Sequence, residues 1–147
     1  MTPSDLPPGD PAATAAADDP VVLLAHVPHR AAPAALQAAI RQASWRGARL
    51  LIVNALTAET RVQRSEARYG DLKAMVATAR AAGVRAEFEQ PVGPDVATMV
   101  LNRANGLPAD VIVIGTRRRS TVGKLIMGST AQRLLMEADC EVLVVKG

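Results

Sequence analysis

The chain has 147 residues, enough for one domain with a sizeable core. Apolar residues make up 49% of it, yet there is one Trp, one Tyr and one Phe, so that core is aliphatic. A single cysteine excludes a disulfide framework and a cysteine metal cluster, no apolar run reaches the roughly 18 residues of a membrane helix, and no basic-then-apolar segment at the start reads as a secretory signal, so a cytoplasmic location is expected.

Residues 1–20 are rich in Pro, Ala and Asp, with almost no large apolar side chain. Such a segment cannot bury enough surface to offset its ordering entropy and reads as a disordered tail, with the domain over 21–147. The tail carries Asp5, Asp10, Asp18 and Asp19 and no Lys or Arg. The net charge of +3 therefore hides a domain with 17 basic against 10 acidic residues, a balance of +7. A basic balance suits phosphorylated small molecules, anionic lipids or nucleic acid. Nucleic-acid binding lacks the aromatic residues that would stack on bases.

Val21 to Ala25 is a continuous apolar run and predicts the first strand. The loop His26-Val27-Pro28-His29 follows. A helix is expected from about Pro33, a good first helical residue, to Arg46, with Leu36, Ala39, Ile40 and Ala43 on one face. Gly47 suits its C-terminal cap. Leu50 to Leu56 reads as the second strand. Thr60-x-x-Gln63 is a capping box opening a helix whose apolar side holds Val62, Tyr69, Leu72, Met75, Val76 and Ala79 and which stops at Gly83. Val84 to Glu89 alternates apolar and charged residues, as a strand near a sheet edge does. Gly93-Pro94 starts a third helix with Val96, Met99, Val100 and Ala104 inward, ended by Gly106 and Pro108. Val111 to Ile114 is a strand buried on both faces. Ser129-x-x-Gln132 is a further capping box, with a helix over Thr130 to Glu137, and Val142 to Val145 is the last strand.

Five strands alternating with four helices predict an α/β fold, a Rossmann-like, doubly wound open parallel five-stranded sheet. Right-handed crossovers limit the topologies without fixing the strand order. In such sheets ligands bind at the carboxyl ends of strands, beside helix N-termini whose free N–H groups and dipole favour anions. Between Ile114 and the last helix lies G-T-R-R-R-S-T-V-G-K-L-I-M-G-S, where Arg117 to Arg119 add positive charge. No Ser-His-Asp set, H-E-x-x-H or Walker lysine motif is present, and Gly123-Lys124 lacks the required spacing. Cys140 reads as a small core residue. An enzyme is not expected.

Gly115, Gly128 and Ser129 fit the spacing G-x2-G-x9-G-[ST], with Arg118 at the second glycine, and the chain ends Ala138-Asp-Cys-Glu-Val-Leu-Val-Val, which carries the last apolar strand. In these residues the chain resembles the universal stress protein family, from about Val21 to its end. The resemblance implies an adenine nucleotide alpha hydrolase-like sheet of order 3-2-1-4-5, with the loops after Ala25 and Ile114 facing one another across a crevice. It implies an adenine nucleotide as regulatory ligand: ATP first, accompanied by Mg, then AMP or cyclic AMP. Gly115, Thr116, Gly128, Ser129 and Thr130 would form the phosphate and ribose side. The backbone at Ala25, Val27, Val53 and Ile114 would line the base pocket.

Two positions depart from the family pattern. Arg118 replaces a glycine that lets the loop pass close to the phosphates; its side chain either obstructs that path, folds back to bind phosphate bidentately, or belongs to a solvated charge run. Val27 stands where nucleotide-binding members carry Asp and cannot accept a hydrogen bond from ribose; His26 and His29 flank it as substitutes. These departures keep a second reading open, a dimeric interaction protein of the same fold without a nucleotide site. The implied strand order also leaves Val142-Leu143-Val144-Val145 at a sheet edge with no charge in its interior. That is a surface for antiparallel pairing with a second copy, as many family members do.

Overall fold

The computed structural model describes residues 19–62, 66–116, 118–119 and 125–147, without the side chains of 62–67 and 118–126. The strand and helix order is β1 (Val21–Ala25), α1 (Ala32–Arg46), β2 (Arg49–Val53), α2 (Ala58–Val62), α3 (Glu66–Ala81), β3 (Ala86–Glu89) and α4 (Val96–Gly106). Then come β4 (Val111–Gly115), β5 (Arg118–Arg119), β6 (Leu125–Ile126), α5 (Ser129–Glu137) and β7 (Glu141–Val145). Five strands form one parallel sheet in the order β3-β2-β1-β4-β7. Counting those five strands alone, this is the expected 3-2-1-4-5. The short β5 and β6 pair antiparallel as a separate ribbon, Arg118 opposite Ile126, where the sequence suggested only a loop.

The sheet is covered on both faces, which explains why its central strands read as unbroken apolar runs. Val22 and Leu24, Leu50 and Ile52, and Val111 and Val113 pack under α1 and α3, against Leu36, Ile40, Leu72 and Val76. Their neighbours Leu23, Leu51, Val53, Ile112 and Ile114 pack under α4 and α5, against Val100, Leu101 and Leu134. Burying each such aliphatic side chain is worth about 1.5–3 kcal/mol. Both outer strands differ from this pattern. β3 carries Glu87 paired with Arg49 and Glu89 held by Arg103, whereas Val142 to Val145 of β7 stay only half-buried.

Several boundaries move from their sequence positions for local reasons. Gly47 ends α1 in the left-handed region (φ 61°), as expected of it. β2 stops at Val53, and Leu56, expected inside that strand, forms an isolated bridge with Val92. β3 begins at Ala86 rather than Val84. The cap before α2 is Thr57, not Thr60. Thr57 Oγ1 accepts from the Thr60 amide at 3.3 Å, and Thr60 Oγ1 accepts from the Thr57 amide at 2.7 Å, a reciprocal box one turn earlier. Gln63 of the expected box lies outside the described residues. α4 is capped by Asp95, whose carboxylate accepts from the Thr98 amide at 3.1 Å. Ser129 is the first residue of α5 rather than its cap; the cap position is Gly128, which offers no side-chain hydrogen bond.

Candidate functional site

β1 and β4 are neighbours, yet their crossovers run to opposite sides: β1 leads through α1 to β2, and β4 leads through α5 to β7. Where the strand order reverses, the carboxyl ends of the two strands diverge and leave a crevice. A cleft of about 190 Å³ opens there. Ile114 and Gly115 at the end of β4 line it, Val27 and His29 come from the loop after β1, and Gly128 to Ala131 contribute the first turn of α5. The loop after Ala25 thus meets the end of β4 across one crevice, and residues 117 and 120–124 of the loop after Ile114 lie outside the described residues.

Among the described residues, the electrostatics of this cleft come mainly from backbone. The first intrahelical bond of α5 runs from the Gln132 amide to the Gly128 carbonyl at 3.0 Å. The amides of Ser129, Thr130 and Ala131 precede it, so they have no carbonyl partner within the helix. With no cap side chain to take their place, they turn donors and the positive end of the helix dipole toward the cleft. Among the described lining residues none is ionised at neutral pH apart from any charge on His29. The helix is held against the sheet by Ala131 and Leu134, both buried.

His29 Nδ1 accepts the Ala31 amide at 3.0 Å, so the neutral ring carries its proton on Nε2. His26 is turned to other company. Its amide donates to the Val53 carbonyl at 2.9 Å, and its pKa is lowered, chiefly by burial and then by the nearby His29 and Arg68, with Asp71 opposing. Of the two histidines flanking Val27, only His29 reaches the cleft.

Six of the ten residues singled out in the sequence come together here: Val27, Ile114, Gly115, Gly128, Ser129 and Thr130. Ala25 and Val53 lie behind the cleft, buried in the sheet and paired with one another. Thr116 is 2% exposed and extends the β4–β7 ladder, its amide donating to the Val145 carbonyl at 2.7 Å. The Arg118 backbone belongs to β5, and its side chain lies outside the described residues. Ala131 was missed; its signal was positional, the third amide of a helix whose start was drawn one residue late. Gly115 does make a close approach, but to protein: a Cβ there would stand 2.8 Å from Ala31 Cβ. Cys140 packs half-buried against the α4–α5 face, and burial raises its thiol pKa, as befits a core residue. Among the described residues no cluster of His, Cys, Asp or Glu could hold a metal ion, and no helix is long and apolar enough to cross a membrane.

Fold and cleft together define a small doubly wound α/β protein with a helix N-terminus opening on a cleft at its switch point. Residues 20–146 match the model of the universal stress protein family. A universal stress protein of Mycolicibacterium smegmatis is 40% identical over 113 residues, covering 77% of this chain and 87% of that one. The chain belongs to the universal stress protein family. Among solved structures, the universal stress protein of Archaeoglobus fulgidus in complex with dAMP superposes with a TM-score of 0.70 at 22% identity, covering 89% of this chain and 100% of that one. A universal stress protein in complex with cAMP superposes with a TM-score of 0.68 at 22% identity, covering 87% and 97%. At these identities the two structures speak for the fold.

Proposed function

We propose that this chain binds an adenine nucleotide in the switch-point cleft, as a regulatory ligand in a cytoplasmic stress response, and that it is not an enzyme. The observation that carries the reading is the uncapped first turn of α5 facing Gly115 and His29 across the cleft. Three backbone donors converge there with no competing carboxylate among the described lining residues, an arrangement suited to phosphate. Family members complexed with dAMP and with cAMP support adenine as the base. The cleft's 190 Å³ suits a ribose-phosphate portion better than a whole nucleotide, since pockets for complete ligands usually start near ~300 Å³. His29 lines the cleft beside Val27, which stands where the family's Asp would accept a hydrogen bond. With ATP, Mg would be held mainly by the phosphates themselves.

Titration calorimetry with ATP plus Mg, AMP and cyclic AMP tests this. Micromolar binding of any one supports it. No heat from all three moves the chain to the second reading, an interaction protein built on the same fold. The specific observation favouring that reading is the place of β7 at the outer end of the sheet. The two helices packed against that strand expose Leu135 and Met136 on α5 (45% and 84%) and Trp45 on α1 (73%), next to Arg46, whose guanidinium reaches Glu141 at the start of β7. A homodimer through this edge is compatible with either reading.

A further inference from the structure

The second cavity lies on the other half of the molecule, between α3 and the outer strand β3. It is an open groove of about 650 Å³, with Lys73, Val76, Ala77 and Arg80 on one side and Glu87 and Phe88 on the other. The chain's one Tyr and one Phe meet here. The rings of Tyr69 and Phe88 stand edge to face with centroids 5.4 Å apart, and Lys73 Nζ sits 4.7 Å from the Tyr69 centroid. Arg80 closes the far end, donating from Nε and Nη2 to the Ala86 carbonyl at 3.2 and 2.9 Å. Glu87, the one acid among the described lining residues, is already paired with Arg49. Among the described residues the groove is therefore apolar along Val76 and Ala77, aromatic at its Lys73 end and positive at both ends.

The chain enters the fold beside it. Asp19 Oδ2 accepts from Arg85 Nη1 at 3.2 Å, and the Pro20 carbonyl accepts from the Arg49 amide at 3.1 Å, so residues 1–18 depart next to the amino end of β3. Those residues hold Pro3, Pro7, Pro8 and Pro11, one leucine, Leu6, and the acids Asp5, Asp10 and Asp18. Proline-rich segments adopt the extended polyproline helix and dock on aromatic-lined grooves, at little ordering cost because the conformation is preformed. The groove from Arg80 to Lys73 is about 10 Å long, at ~1.5 Å per helical residue. A flexible segment of ten residues spans about 18 Å end to end, which brings Leu6 to Pro11 within reach of its far end from Asp19.

We infer that the acidic, proline-rich N-terminal segment of this chain docks back into the α3–β3 groove, Leu6 to Pro11 lying on Tyr69 and Phe88 with Asp5 and Asp10 facing Lys73 and Arg80. The contact protects an exposed outer strand, and prolines do so without offering a new ladder of N–H groups to a further molecule. The groove is separate from the switch-point cleft, so this inference stands or falls independently of nucleotide binding.

One Tyr and one Phe make the aromatic proton spectrum of the full-length protein simple to read. Nuclear Overhauser contacts are expected from the Tyr69 and Phe88 rings to the Leu6 methyls and to the ring protons of Pro7, Pro8 or Pro11. They should weaken at about 1 M salt, where the screening length is about 3 Å. They should also weaken in Lys73→Glu and return in part when Asp5→Lys and Asp10→Lys are added. Sheet amide shifts verify that each variant is folded. Ring contacts confined to α3 and β3 in the wild-type chain overturn the inference. So do tail contacts that fade on dilution, because those come from a second copy.

Discussion

Arg133 on α5 donates to the carboxylate of Asp95, the residue that caps α4. The same guanidinium reaches Thr98 Oγ1 at 3.2 Å and Glu137 at 2.8 Å. One cap therefore organises the start of α4 and also holds the helix whose first turn forms the cleft. The Asp95 pKa is lowered, first by the Thr98 hydroxyl and then by Arg133, and that of Glu137 is lowered by Arg133. A depressed carboxylate pKa contributes stability above the unfolded value of about 4, and that stability is lost as pH falls through the folded value. Asp95→Asn keeps a good cap while removing the charge. The thermal midpoint of Asp95→Asn is expected to fall below wild type at pH 7, with a smaller gap at pH 3. Circular dichroism at the two pH values checks this, and a gap of equal size at both would dismiss the ion pair as a contributor.

Gly128→Asp should separate folding from binding. An Asp at the cap of α5 satisfies an orphan amide and complements the helix dipole, so a gain of about 0.3–1 kcal/mol is expected in urea denaturation. The same carboxylate occupies the donors proposed for phosphate and repels it. Nucleotide affinity should drop at least tenfold, on the order of 1.4 kcal/mol. Undiminished affinity would locate the ligand elsewhere.

Gly115→Ala tests the close approach to Ala31. The added methyl meets Ala31 Cβ at 2.8 Å and the Ala31 carbonyl at 3.4 Å. Overpacking of this kind costs about 1–3 kcal/mol. Adding Ala31→Gly should recover most of it, read as coupling in a double-mutant cycle by urea unfolding. Strictly additive losses would mean that the glycine serves something other than this contact.

Val144→Pro tests dimerisation through β7. The Val145 carbonyl faces β4, where it accepts from Thr116. Alternation along the strand then turns the Val144 amide to the open edge. Proline at Val144 therefore removes an outward donor while sparing the β4 ladder. Light scattering should show a dimer for the wild type and a folded monomer for the variant. A wild type that is monomeric at micromolar concentration, or a variant that stays fully dimeric, moves or removes the interface.

The strands were legible because burial on both faces leaves only aliphatic residues possible, and β1, β2 and β4 announce themselves that way. The same burial erases the alternation that would say which residue faces which side, so nothing in the runs distinguished Val53 and Thr116, held in the ladder, from residues lining the cleft. Strand order was not readable from spacing and came with the family resemblance. Caps were found to within a turn but assigned to the wrong residue at Thr57 and Gly128. A capping box constrains spacing, whereas the cap is the residue that leaves helical backbone angles, and that is decided by the chain before it. Asp95 was hidden behind Gly93-Pro94, the louder helix-start signal. His29 was marked only as one of two histidines flanking Val27, and nothing in the sequence separated it from His26, since its place depends on the turn that brings Ala31 back to its ring.

The two walls of the cleft come from opposite ends of the domain, one just after β1 and the other at α5. The β1–β2–β3 half of the sheet could assemble with α1 and α3 on its own face and still have no cleft. A ligand held between the walls would therefore recognise only the completed fold and would favour it by mass action, by about 2.7 kcal/mol at a hundredfold excess over its dissociation constant. Partial openings that release β4, α5 and β7 would be suppressed most, and fluctuations confined to β3 and its groove would be left unchanged. Occupancy would then set how long the newly folded chain keeps its second half closed.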